Sequence, residues 1–296
     1  MSGIKKILIA GGTHGNEMTG IFLVRNWMTT LPAQIAGLDF SLELLLANPE
    51  AIRLGRRYAE FDLNRAFAPS LLNTSNPPQK LDISRAREIN RTYGPKGSPQ
   101  APDLAIDLHN STANMGISLI VNEPDAPMKR ILSILSFEFP LVRLVYQPES
   151  LATSPYLPSI ARHDLTIEVG PQAHGTLKAS LFHATESLVI RLLGLVAEYN
   201  SGNLALTPHP TLVYTQTGTL DYPRQEDGSL RAMIHPKLEG ADFRAVDPGS
   251  PLFQHFDGTE ELWPGPQTIW PCFIGEAAYL EKHIAMSVLT KSTESW

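Results

Sequence analysis

The chain has 296 residues, 43% hydrophobic and 18% charged, which can fill the core of one or two domains and excludes wholesale disorder. Its net charge of −6 speaks against general nucleic-acid affinity, because neutralising phosphates needs a basic face. The single cysteine, Cys272, excludes both an intrachain disulfide and a multi-cysteine metal site.

In chain order, Ile7-Leu8-Ile9-Ala10 reads as a short buried strand stopped by Gly11-Gly12, too short for the apolar region of a signal peptide. Met18, Ile21, Phe22, Val24 and Met28 then follow near-helical spacing over 17–29. Phe40, Leu42, Leu44 and Leu46 alternate as a strand, stopped by Asn48-Pro49. Residues 81–93 read as a helix through Leu81, Ala86, Ile89 and Tyr93, and a breaker-rich loop runs from Gly94 to Pro102. Leu104-Ala105-Ile106 leads as a buried strand into Asp107-Leu108-His109. A strand over 117–121, a helix over 129–137, strands over 141–146 and 165–169, and a long helix over 177–199 complete the pattern.

Strands alternating with helices predict an α/β domain over 1–203 with a mixed or parallel sheet and helices on its faces. Asn200-Ser201-Gly202-Asn203 reads as a linker, and the Pro- and Gly-punctuated remainder, 204–296, as a smaller β-rich domain. No run approaches the roughly 18 apolar residues of a membrane span. A soluble, cytoplasmic protein without membrane or nucleic-acid partners is the expectation.

Open α/β sheets bind ligands beyond the carboxyl ends of their strands, so the residues that follow each strand carry the most information. They are Thr13-His14-Gly15-Asn16-Glu17, then His109-Asn110-Ser111, with Glu168 a lone charge inside an apolar strand. His14 and Glu17 form H-x-x-E, and a second histidine from a distant strand would give zinc three protein ligands and an open fourth position. The spacing alone is weak, because His183 and Glu186 repeat it inside the long helical stretch. For His14 and Glu17 the plain alternative is a turn histidine and a glutamate favoured by a helix N-terminus. Ala10-Gly11-Gly12-Thr13-His14-Gly15 also lies one residue from the G-x-G-x-x-G dinucleotide fingerprint. However, the second strand ends Leu46-Ala47-Asn48-Pro49, without the acid such a site needs. Arg53, Arg56, Arg57 and Arg65 concentrate positive charge around Tyr58–Asn64, which suits an anionic substrate or else a solvated loop. Asp62 and Asp107 read equally well as partners orienting a ligand or as turn and strand-end residues. His163, His174, His209, His235 and His255 read as structural or surface residues, and Cys272 as a small buried hydrophobe.

Gly11–Glu17, Asp62-Leu63-Asn64-Arg65, Asp107-Leu108-His109-Asn110 and Ile167–Gln172 together resemble aspartoacylases, the aspartoacylase and aminoacylase III branch of zinc carboxypeptidase-like hydrolases. Ile234-His235-Pro236 and Glu276-Ala277-Ala278-Tyr279 also match, so the resemblance spans nearly the whole chain. It implies a carboxypeptidase-like mixed-sheet α/β domain and a C-terminal β domain that partly covers the site. It implies one zinc per chain on His14, Glu17 and His109, with Glu168 as general acid/base and Arg57 beside the scissile carbonyl oxygen. Asn64 and Arg65 would hold a substrate carboxylate, and Tyr279 would reach back from the C-terminal segment. The implied reaction is hydrolysis of an N-acyl-L-amino acid, giving acetate and a free amino acid. The alternatives are a desuccinylase or carboxypeptidase on the same scaffold, a silent zinc or anion binder, and a nucleotide-binding oxidoreductase. Family members are often homo-oligomers. The chain departs from the N-acetylaspartate pattern where Pro158 stands for an expected arginine, Ser154 for a tyrosine (with Tyr156 nearby) and His283 for a lysine. Arg162 and Lys282 are the nearest cationic substitutes. Neutral, even aromatic, substrate side chains are therefore expected to serve at least as well as aspartate.

Overall fold

The structure, a computed structural model, describes residues 3–205 and 207–296. The first strand, β1 (Lys6–Gly11), feeds a turn and then α1 (Met18–Thr29). Next come β2 (Ser41–Leu46) and α2 (Pro49–Leu54). Asn48-Pro49 does more than stop a strand. The Asn48 side chain accepts from Ala51 N–H at 3.2 Å, Pro49 presets the first turn, and Gly55 closes α2 in the left-handed region. After α3 (Pro69–Leu72), α4 (Leu81–Tyr93) has the expected bounds.

The core strand β3 (Leu104–Asn110) is buried along its entire length and precedes β4 (Gly116–Val121). Then α5 (Ala126–Glu138), capped by Asp125, leads to β5 (Val142–Tyr146), β6 (His163–Gly170) and α6 (Ala179–Asn200). By length and mean hydropathy α6 would suffice to cross a membrane. Here, however, Leu188, Val189, Leu192, Leu193 and Val196 are buried in the core against the sheet, and Arg191 pairs with Glu138 and Glu198.

Beyond residue 203 the chain forms β7 (Pro210–Leu220), then β8 (Ala232–Ile234), β9 (Pro251–His255), β10 (Glu260–Leu262) and β11 (Met286–Ser295). The eight-stranded sheet runs β11-β7-β5-β4-β6-β3-β1-β2, and β10-β9-β8 make a small antiparallel sheet. Pairing is parallel for β2-β1-β3-β6 and for β4-β5-β7, and antiparallel between β4 and β6 and between β7 and β11. The C-terminal residues therefore supply more than a separate β unit: β7 and β11 extend the main sheet through Leu144↔Val213 and its neighbours. The small sheet has its own core, around Leu252, Phe253, Ile269 and Met286.

Strand alternation decides which face carries function. Ile106, Leu108, Leu165, Ile167, Val169, Leu119 and Val121 pack with α1, α5 and α6. The residues between them, Asp107, His109, Asp164, Thr166, Glu168, Ile120 and Ser118, turn to the opposite face. On that face α3, α4 and the single turn Leu157–Ile160 cover one half around Phe67 and Ile83. The other half is left to a pocket.

Candidate active site

His14 stands in the β1–α1 turn, Glu17 at the entry to α1, and His109 near the end of β3. Glu17 makes no side-chain cap for its own helix, so its carboxylate is available elsewhere. Its Oε1 lies 2.7 Å from His14 Nδ1 and its Oε2 2.9 Å from His109 Nδ1. The two Nδ1 atoms are 3.1 Å apart, and all three side chains are buried. The turn is tight: a Cβ on Gly15 would lie 2.0 Å from the Ala51 backbone, so only glycine fits against α2. The glycines that resemble a dinucleotide fingerprint thus serve packing, and Glu17 occupies the helix N-terminus where a pyrophosphate would need to sit.

The far side of each imidazole faces a carboxylate. His14 Nε2 lies 2.9 Å from Asp62 Oδ1, and His109 Nε2 lies 2.7 Å from Asp107 Oδ2. Asp107 is held in turn by the Thr13 hydroxyl at 2.7 Å, and Asp62 by Lys282. Where each Nε2–H is donated to its aspartate, the Nδ1 atom of each ring turns a lone pair towards the other and towards the Glu17 carboxylate. Lone pairs so close repel unless a cation sits among them, which is the donor chemistry of a metal centre. The three ligand atoms lie within 4.8 Å of one another. Both aspartates contact the outer nitrogen of a clustered histidine, as the ligand-orienting reading of Asp62 and Asp107 expects.

Arg57 donates to Glu17 Oε1 at 3.0 Å, placing its guanidinium at the rim of this cluster. Glu168 pairs across the sheet with His109 on one side and Ser118 on the other. Burial pushes Glu168 up to about 8, with the Glu17 and Glu276 carboxylates adding to the rise and His109 opposing it. Asn64 accepts from Leu157 N–H at 3.1 Å, and the Arg65 guanidinium lies 4.7 Å above the Tyr156 ring. Tyr279 packs on Phe273, and burial raises its phenol far enough to keep it neutral.

Tyr279 reaches the pocket because Glu276 fastens its segment to the loop after β3. Glu276 accepts from the Ser111 hydroxyl, from Thr112 N–H at 2.7 Å and from Ala278 N–H at 3.0 Å. Burial works against this carboxylate, but the His174 imidazole 3.6 Å away, the Ser111 hydroxyl and backbone N–H groups hold it down to about 2. His174 is thus tied to the site's edge rather than to the general surface.

One pocket is lined by every sequence-predicted site residue: His14, Glu17, His109, Arg57, Asn64, Arg65, Glu168 and Tyr279. Ser154, Tyr156 and Pro158, at the departures from the aspartate pattern, line it too. The cationic substitutes do not. Lys282 pairs with Asp62, His283 bonds Asp221 at the surface, and Arg162 contacts Asp103 on another side of the molecule. The second His-x-x-Glu is no site: His183 Nδ1 lies 3.9 Å from Glu186 on the exposed side of α6. Sequence reasoning missed Asn122, Gln147, Asp164 and Thr166 at the deep end of the pocket. A signal was present, because Asp164, Thr166 and Glu168 alternate with Leu165, Ile167 and Val169, giving one strand a polar face and an apolar face.

Residues 3–196 match the family model described as succinylglutamate desuccinylase/aspartoacylase catalytic domain, and residues 209–291 match the AstE/AspA barrel-sandwich hybrid domain. The chain is 39% identical to a human N-acyl-aromatic-L-amino acid amidohydrolase (carboxylate-forming), covering 98% of this chain and 92% of the relative. It is 41% identical to a probable aspartoacylase of Nostoc sp. (97% and 96% covered) and 39% identical to mouse aspartoacylase (99% and 94%). Among solved structures, murine aminoacylase 3 superposes with a TM-score of 0.93 at 34% identity, covering 100% of this chain and 98% of the other.

Proposed function

This chain belongs to the succinylglutamate desuccinylase/aspartoacylase family, and we propose that it is a zinc-dependent amidohydrolase of N-acyl-L-amino acids with neutral side chains. The observation that carries the proposal is the convergence of His14, Glu17 and His109 with Glu168 and Arg57 in one pocket.

Zinc on His14, Glu17 and His109 would polarise the acyl oxygen and acidify the attacking water. Glu168 takes the proton of that water and delivers it to the departing nitrogen, a task its raised proton affinity suits. Arg57 donates to the oxygen on which negative charge develops. Asn64 and Arg65 hold the amino acid's carboxylate, Arg65 through its planar fork. Tyr279 closes the pocket from the C-terminal segment. In this reading residues 1–203 carry the chemistry and 204–296 cap it. The partner is a small N-acyl amino acid met in the cytoplasm.

Relatives acting on aromatic and on aspartyl substrates are equally similar to this chain, so the pocket must discriminate between them. Among the described residues, Arg57 and Arg65 are the lysine or arginine side chains that line it. Where a second carboxylate would lie, the walls are Ile120, Pro158, Ser154, Ser159 and Thr166, with Asp164 adding negative charge. Leaving one buried charge without its partner costs about 3–5 kcal/mol, more than 100-fold in binding. The same argument disfavours an N-succinyl group. The test is kcat/KM on zinc-loaded protein for N-acetyl-phenylalanine, N-acetylaspartate and N-succinyl-phenylalanine, with products identified. N-acetyl-phenylalanine should be hydrolysed at least as well as either dianion. A preference of about 100-fold for a dianion, the scale of that missing pairing, would overturn the proposal.

A further inference from the structure

The pocket does not end at the reacting centre. On β6, Glu168, Thr166 and Asp164 face the same side, and Asp164 lies four residues from Glu168, about 13 Å along the strand. Asn122, just after β4, stands beside Asp164, and its backbone N–H donates to both carboxylate oxygens at 3.2 and 3.1 Å. Both side chains line the same pocket as Glu168, although Asn122 is only 4% exposed and Asp164 6%.

These two groups are incompletely satisfied. Asn122 Nδ2 has no hydrogen-bond partner among the described residues. A buried amide donor without a partner is costly, and a carboxylate fed mainly by backbone N–H groups retains lone pairs for a further donor. No lysine, arginine or histidine among the described residues pairs with Asp164. An unused donor thus stands on the residue beside a fixed acceptor, in a pocket also lined by Ile120, Pro158 and Phe273.

We infer that Asn122 and Asp164 form a specificity subsite for a neutral group that both donates and accepts a hydrogen bond, a hydroxyl above all, at the tip of the substrate. The group donates to the Asp164 carboxylate and accepts from Asn122 Nδ2. A carboxylate is repelled by Asp164, and a bare hydrocarbon leaves Asn122 unpaired. Burial pushes Asp164 up to about 6, so it remains chiefly an acceptor at neutral pH. The tip can belong to the amino acid's side chain, as in a phenol, or to a hydroxylated acyl chain. The chemistry at the subsite is the same in both. The inference rests on the deacylase reading above.

The experiment compares kcat/KM within two substrate pairs that differ only in a terminal hydroxyl. One pair is N-acetyl-tyrosine and N-acetyl-phenylalanine, and the other N-(5-hydroxypentanoyl)-phenylalanine and N-pentanoyl-phenylalanine. In the wild-type protein the hydroxyl member of one pair should lead by about 10- to 100-fold, and the pair that shows it identifies the source of the tip. In Asn122→Leu and in the near-isosteric Asn122→Asp that ratio should fall towards one, a readout that partial loss of folded protein does not move. Ratios within about twofold in both wild-type pairs, where a used hydrogen bond predicts more, overturn the inference and leave deacylation standing. So does a ratio that survives both variants. Hydrolysis of none of the four compounds overturns the deacylase reading and the inference with it.

Discussion

His14 with Glu17 and His183 with Glu186 share one spacing in two regions of this molecule. In the first region the pair spans the turn between β1 and α1, both residues are 2% exposed, and the contact is 2.7 Å. In the second it lies along α6, His183 is 73% exposed, and the separation is 3.9 Å. Around the first pair stand His109 from β3, Glu168 from β6, and Asp62 and Asp107 behind the imidazoles. Around the second, Glu186 accepts from the Trp27 indole at 3.0 Å and does structural work. Spacing supplies two donors. A metal centre also needs a third ligand, fixed tautomers and an adjacent proton acceptor, and those come from elements far away in sequence.

Each expected outcome tests one part of that difference. Removing the third ligand should have the largest effect. His109→Ala leaves His14 and Glu17 at their spacing, yet purified protein should lose bound zinc, and turnover should fall by more than about 1000-fold. Retention of stoichiometric zinc and activity would mean that the pair suffices by itself. Next is the proton carrier: Glu168→Gln should keep zinc while kcat falls by about 100- to 10,000-fold. Near-normal turnover would remove Glu168 from the mechanism. A smaller effect is expected behind the ligands. Asp107→Asn should weaken zinc affinity by about 10- to 100-fold, measured by competition with a chelator, because the histidine exchanges a charged acceptor for a neutral amide that holds its tautomer less firmly. The smallest change belongs to the second region. His183→Ala should leave turnover unchanged and shift unfolding stability by less than about 0.5 kcal/mol, as exposed substitutions do. A loss of zinc or activity there would erase the distinction between the two pairs.

Much of this was legible in the chain itself. The short continuous apolar runs Ile7–Ala10 and Leu104–Ile106 between breakers, and the helical period over 81–93, identified β1, β3 and α4, because local patterning records which residues meet the core. Histidines and glutamates at strand ends marked residues that converge in one pocket, because sheet folds deliver those ends to one edge. Asn48-Pro49 was read only as a stop, although its capping chemistry also starts α2. The far part of the pocket was legible only as the polar face of β6, not as a meeting of Asp164 with Asn122. Asn122 and Asp164 are 42 positions apart, and they meet only because β4 runs antiparallel to β6 in one register. Lys282 likewise meets Asp62, 220 positions away, from the C-terminal segment that Glu276 ties to the loop after β3. The sequence by itself determined the elements, their apolar faces and the ligand types. Register, long-range pairing and the resulting shape of the pocket were decided by tertiary structure, because no local period records which strand lies beside which.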